Sequence, residues 1–450
     1  MNCSMPGQPI QDFSTLFKRV GRLDVSGKTV LVPRLDRFAS HLLAASLRAF
    51  GVQSVVMDSF KELENARQHI SGKECFPCHV TLGDLLNHLK TEQKKLGARF
   101  SPGNYVYFLP TSSGPCRFGM YNKLQRIALD SYPEFRNVGI SCLSADDAYS
   151  ASGFVRKRYA TAYRKLTFMS LIIGDVLNRI TWRARPYETV PGITDNRMDS
   201  ALDSMIRLFE DHGSRLNFKP MYGLLKDTAG TISATINFSE PRRPRIAIVG
   251  EIYLRNHDRA NQDIARQIEH YGGEVVVSSI TEWTHYVTCR LAGIYRTRVA
   301  AHLKNMNITS LPGLFGALLQ KEAQKMYLSR MQAKTYRHVM KHLDIQPDID
   351  IRLIDKKLKN GDHYRFILGS EAPVTIGSAL MYADSGFDGI INMYPFGCMP
   401  GNTSSVILKP LFRNMNMPFI EISCDGTYQP NRETVLRTFM HQVRHKKSCK

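Results

Sequence analysis

Strand-like and helix-like patterns alternate twice along this chain, and that alternation limits the fold more than any other feature. KTVLVP (28–33) is an apolar run of strand length, HLLAASLRAFG (41–51) carries apolar residues at helical spacing and stops at Gly51, and SVVMDS (54–59) returns to a strand. YVYFLPTSSG (105–114) and NVGISC (137–142) continue the series to about residue 150. Apolar strands separated by amphipathic helices bury both faces of a sheet, so a mostly parallel sheet is expected.

From 154 to about 218 the pattern is helical without strands, as in TAYRKLTFMSLIIGDVLNRI and MDSALDSMIRLFEDHG, with WRARPYETVPG as a turn between them. SEPRRPR (239–245) reads as a linker before the strand RIAIVGEIYL. A helix over 259–272, the strand EVVVSSI and a long helical stretch over about 312–343 follow. Then come GIINMYP, a helix from about 403, PFIEIS and a last helix from about 431. The reading is an N-terminal α/β domain (1–153), a helical insert and linker (154–240) and a C-terminal α/β domain (241–450).

At 450 residues the chain exceeds one ordinary core. The first twenty residues lack a continuous apolar core, and stretches such as LTFMSLIIGDVL (166–177) fall short of the ~20 residues a membrane span needs. A cytoplasmic protein with no membrane segment is expected. That compartment keeps thiols reduced, so the nine cysteines point to metal binding or burial rather than disulfides. The formal charge of +20 would attract anionic partners, yet only RRPR (242–245) and RHKK (444–447) are dense basic runs. No zinc-finger, homeodomain or RNA-recognition signature accompanies them, which argues against nucleic acid.

GRLDVSGKT (21–29) imitates a P-loop but has five residues between Gly21 and Gly27 and precedes its strand, so it is rejected as a nucleotide site. ATP dependence, if any, is expected to reside on another chain.

The cysteines carry more. Cys75 and Cys78 lie in ECFPC, Cys116 in SSGPCRFGMY after one strand, and Cys398 in YPFGCMPG after another. Loops after the carboxyl ends of parallel strands line the ligand crevice of α/β sheets. Gly and Pro in all three segments allow tight turns, so the loops are expected to converge on a metal cluster in the interdomain cleft. Thiolate softness fits zinc or iron–sulfur without choosing between them. Cys142 and Cys424 end apolar strands and read as buried thiols, while Cys289 suits either role. Glu251, just after a strand, and Arg117, next to Cys116, are the candidate catalytic or anion-holding residues.

Read together, GKECFP with GDLL, GPCRFGMY, RPYE, VGEIY and GFDGIINMYPFGCMP occur in order between about 28 and 443. They resemble the acyl-CoA dehydratase activase-related family, itself similar to 2-hydroxyacyl-CoA dehydratase subunits and double-cubane cluster proteins. The resemblance implies two Rossmann-like domains with an iron–sulfur cluster in the interdomain cleft. It also implies low-potential electrons from a separate ATP-dependent activase, used to reduce or dehydrate a small substrate such as an acyl-CoA. By motif, Cys75, Cys116 and Cys398 are ligands and Cys78 the candidate fourth. A single [4Fe–4S] cluster is preferred; a double cubane would need about six ligands and so would recruit Cys142, Cys289 or Cys424. A homodimer or a heterodimer is expected. The alternatives are a non-catalytic electron-transfer or scaffold subunit and a zinc-stabilised nucleic-acid-binding protein.

Overall fold

Among the described residues, nine short strands form two all-parallel sheets. A computed structural model describes residues 19–21, 23–112, 116–143, 153–306, 309–427 and 429–448. Cys3 and Cys449 lie outside the described residues. The chain divides into two compact units: residues 1–35, 40–167 and 209–217 form unit 1, and residues 36–39, 168–208 and 218–450 form unit 2.

In unit 1 the strands are Val20–Gly21 (β1), Thr29–Val32 (β2), Ser54–Val56 (β3), Tyr105–Phe108 (β4) and Gly139–Ser141 (β5), in the spatial order β1-β5-β4-β2-β3. The crossovers include Ala39–Arg48 (α1), Glu64–Arg67 (α2), Phe76–Leu96 (α3) and Tyr121–Asp130 (α4). Side chains alternate across the sheet, as a pleated strand requires. Leu31, Tyr105, Tyr107 and Ile140 pack on one face against Cys78, Leu82, Leu85 and Leu89 of α3. Val30, Val32, Val106 and Phe108 pack on the other against Ala44 and Leu47 of α1. Residues 23–28 of GRLDVSGKT precede β2 at its amino end, the wrong end for a phosphate cradle.

Three helices follow: Ala160–Ala184 (α5), Ile193–His212 (α6) and Lys219–Ser233 (α7). Unit 2 then builds its sheet from Arg245–Gly250 (β6), Glu274–Val277 (β7), Gly389–Pro395 (β8) and Phe419–Cys424 (β9), in the order β7-β6-β8-β9. Every residue of β8 is buried, as expected of a central strand covered on both faces. Its helices are Ile252–Asn256 (α8), Ile264–His270 (α9), Ile280–Lys304 (α10), Leu311–Met340 (α11), Ile351–Asn360 (α12), Ala372–Asp384 (α13), Met399–Asn414 (α14) and Arg432–Ser448 (α15). No helix among the described residues is long and apolar enough to cross a membrane.

Some boundaries differ from the pattern reading for local reasons. The strand expected over RIAIVGEIYL ends at Gly250, because Glu251 caps α8, its carboxylate accepting from the N–H groups of Tyr253 and Leu254. The helix expected over 259–272 starts only at Ile264, because Asp263 adopts a left-handed conformation (φ 51°) and caps it, its carboxylate accepting from the Arg266 N–H. The helix expected near 403 starts at Met399, since Pro400 falls in the first turn, where it needs no N–H partner. Inside unit 2 a buried Asp175 on α5 caps α10. Its carboxylate accepts from Ile280 N at 3.0 Å and Thr281 N at 2.8 Å. Nearby, Arg179 pairs with Asp348 at 2.9 Å, both side chains being under 5% exposed.

Candidate functional site

Cys75, Cys116 and Cys398 share one local construction. Each is the extended residue that precedes a helical segment: Cys75 (ψ 147°) before α3, Cys116 (ψ 130°) before the 3₁₀ turn Arg117–Met120 that runs into α4, and Cys398 (ψ 115°) before α14. The unsatisfied N–H groups at such a terminus favour negative charge and so favour a thiolate. The tetrapeptides are CFPC, CRFG and CMPG, with Pro in the first turn after Cys75 and Cys398.

The fourth position of each tetrapeptide is tightly filled. Cys78 is completely buried. At Gly119 a Cβ would lie 2.5 Å from the Ser112 carbonyl oxygen, and at Gly401 one would lie 2.4 Å from the Tyr394 ring. In both places the absent side chain lets the helix start press against its neighbour, and this fixes where the cysteine sits.

Unit 1 brings its thiol segments to the carboxyl edge of the sheet. The Arg117 guanidinium donates to the carbonyl of Lys73, tying the Cys116 turn to the segment leading into Cys75. Arg117 is thereby a positioning group rather than a displayed anion hook. Ser71 N donates to Glu74 at 2.9 Å, closing the turn before Cys75. Cys75, Cys78 and Cys142 belong to one apolar cluster with Tyr107 and Leu109. Burial, then the proximity of Cys75 and Glu74, pushes the Cys78 thiol up. Burial also raises Cys142, against a 3.2 Å hydrogen bond donated by Asn122 to its sulfur. Both are neutral thiols at ordinary pH. Cys116 is half-buried.

In unit 2, Cys398 follows β8 and Cys424 ends β9, with Phe396 N donating to the Cys424 carbonyl at 2.9 Å. Burial pushes the Cys424 thiol up to about 11, with Asp425 and Glu251 adding to the effect. Glu251, just beyond β6, caps α8, its carboxylate accepting from Tyr253 N at 3.0 Å and Leu254 N at 2.9 Å. Beside it, Glu371 accepts from Ile252 N at 3.0 Å. Burial first, and then the Glu251 charge, pushes Glu371 up to about 8; burial raises Glu251 as well. Two carboxyl groups on one helix end therefore share a proton at neutral pH. The Arg255 charge works against this and lowers both carboxyl groups in part, while its guanidinium donates to the carbonyls of Gly250, Ser278 and Ser279 at 2.6 to 3.0 Å.

Glu371 escaped the sequence reading. Its only signal is an acid at the entrance of an apolar helix, GSEAPVTIGSALM, a pattern equally suited to an exposed first-turn acid. Asn261, ten residues beyond Glu251, is structural: its side chain donates to the Leu254 carbonyl at 2.9 Å and accepts from Ile264 N at 3.2 Å.

Cys289 lies within α10, and burial pushes its thiol up to about 11. None of the seven described cysteines is in a disulfide. Among the described residues, no group of three or more His, Cys, Asp or Glu side chains is assembled as a metal site. The donor types at the three helix starts are nonetheless those of thiolate-ligated clusters. Compared with known proteins, the chain matches no family model and no curated protein.

Proposed function

We propose that the chain is an iron–sulfur redox protein in which Cys75, Cys116 and Cys398 are cluster ligands. The observation that carries this reading is their common placement at a helix start, with a closely packed residue three positions on. The N–H groups of a helix start favour negative charge beside them, and the thiolate is the form that binds iron. Cys142 and Cys424, raised by burial, are the poorer donors. Cys78 is the fourth ligand if the first turn of α3 opens, and a core thiol otherwise.

When bound, the cluster supplies a one-electron carrier. The electron donor is an ATP-dependent activase on a separate chain, in keeping with the rejected P-loop, and the acceptor is a small substrate such as an acyl-CoA. The chain's own groups do the rest. Arg117 holds the Cys116 turn to the Cys75 segment. Glu251 and Glu371 hold a proton at the carboxyl edge of the second sheet, available to a substrate that gains an electron.

The test is anaerobic reconstitution with iron and sulfide, followed by electron paramagnetic resonance of the dithionite-reduced protein. A low-temperature signal that disappears in Cys116→Ala is expected. A colourless protein without such a signal refutes the proposal. Bound zinc together with steeply salt-dependent binding to DNA or RNA replaces it with a nucleic-acid role.

A further inference from the structure

Unit 2 contains a trough that the cysteine chemistry does not use. Helices α10 and α11 and the start of α12 line an open groove of about 690 Å³. That is within the usual range for small-molecule sites.

Two rows of α11 line it at seven-residue steps, which keeps each row on one side of the helix. The first row is Leu319, Met326 and Ala333; the second is Ala323, Arg330 and Arg337. Small side chains at 323 and 333 leave space where larger ones would fill the gap. Leu319 and Met326 are 57% and 49% exposed, so apolar surface stands in water along the trough. Cys289 lines it from α10 and Ile351 from α12.

The charges around the trough divide into matched and unmatched. Lys325 pairs with Glu322, and Arg352 pairs with Asp350 at 2.5 Å. Arg330 and Arg337 make no ion pair among the described residues; Arg337 donates only from Nε to the Ala333 carbonyl, at 3.3 Å. Two guanidiniums one heptad apart thus stand at one end of an apolar trough, with Leu319 and Met326 toward the other.

We propose that this trough binds the monomer of a medium-chain aliphatic carboxylate, its carboxylate held by Arg330 and Arg337 and its chain lying along Met326 and Leu319. The forked donors of arginine suit a carboxylate. From Arg330 to Leu319 the helix rises about 16 Å, room for a chain of medium length. Covering Leu319 and Met326 supplies the apolar part of the affinity. The inference is independent of the iron–sulfur reading.

Calorimetric titration of the full chain with hexanoate, octanoate and decanoate, below micelle formation, tests it. Each pair of added methylenes should tighten binding about tenfold. The R330A/R337A double variant should weaken decanoate at least about tenfold and leave decanol unchanged. Both arginines are exposed, so this variant is expected to fold. Ala333→Trp, which fills the trough, should abolish binding of both ligands. Affinity independent of chain length, or either variant binding decanoate like the parent, overturns the proposal. Sedimentation with phosphatidylglycerol vesicles in the absence of decanoate binding overturns it in favour of a lipid surface.

Discussion

Replacing Glu371 with Gln should remove a pH-dependent part of the stability of unit 2. In the folded chain Glu371 is raised from about 4.5 to about 8, chiefly by burial and then by Glu251. Between those values the folded state holds a proton that the unfolded chain has released. The stabilisation is therefore complete below about pH 4.5 and is lost as pH climbs towards 8. One proton corresponds to about 1.4 kcal/mol per pH unit, so pH 6 to 8 removes about 2 to 3 kcal/mol.

Glutamine keeps an acceptor for Ile252 N, now 3.0 Å from Glu371, and offers its NH₂ group to Glu251. It imitates the protonated acid at every pH. The variant should gain on the parent protein by that amount from pH 6 to 8. Asp175 and Glu282, both pushed to about 7 mainly by burial, titrate in the same window but are common to both proteins and cancel in the difference. The assay is urea unfolding followed by tryptophan fluorescence; the only two tryptophans, Trp182 and Trp283, lie in unit 2 and report on it alone. A stability difference that does not change with pH would refute the shared-proton argument.

Gly401→Ala would place a methyl 2.4 Å from the Tyr394 ring; a loss of about 1 to 3 kcal/mol is expected, read as a lower Tm together with faster alkylation of Cys398. Asp175→Ala strips the acceptor from Ile280 N and Thr281 N at the start of α10 and should cost about 2 to 4 kcal/mol in urea unfolding. Arg117→Ala releases the Lys73 carbonyl; maleimide labelling of Cys75 and Cys116, followed by peptide mass spectrometry, should accelerate while the Tm changes little.

The sheets were legible because a buried parallel strand has to be a short apolar run: GIINMYP became β8 residue for residue, and the first six residues of RIAIVGEIYL became β6, the rest opening α8. The positions of Cys116 and Cys398 after strands were legible for the same reason. The common helix-start construction was not, because Pro in ECFPC and CMPG reads as a turn until the helix behind it is seen. Glu371 and Asp175 were hidden differently. Their roles rest on N–H groups of α8 and α10, which no local pattern in GSEAPV or LIIGDV announces.

The most direct measurement is iron and acid-labile sulfide per chain after anaerobic reconstitution, compared among the parent protein, Cys75→Ala, Cys116→Ala, Cys398→Ala and Cys142→Ala. The account predicts about four of each per chain in the parent and in Cys142→Ala, as one [4Fe–4S] cluster requires, and a marked loss in the other three. A parent protein without iron, or equal iron in all five, contradicts it.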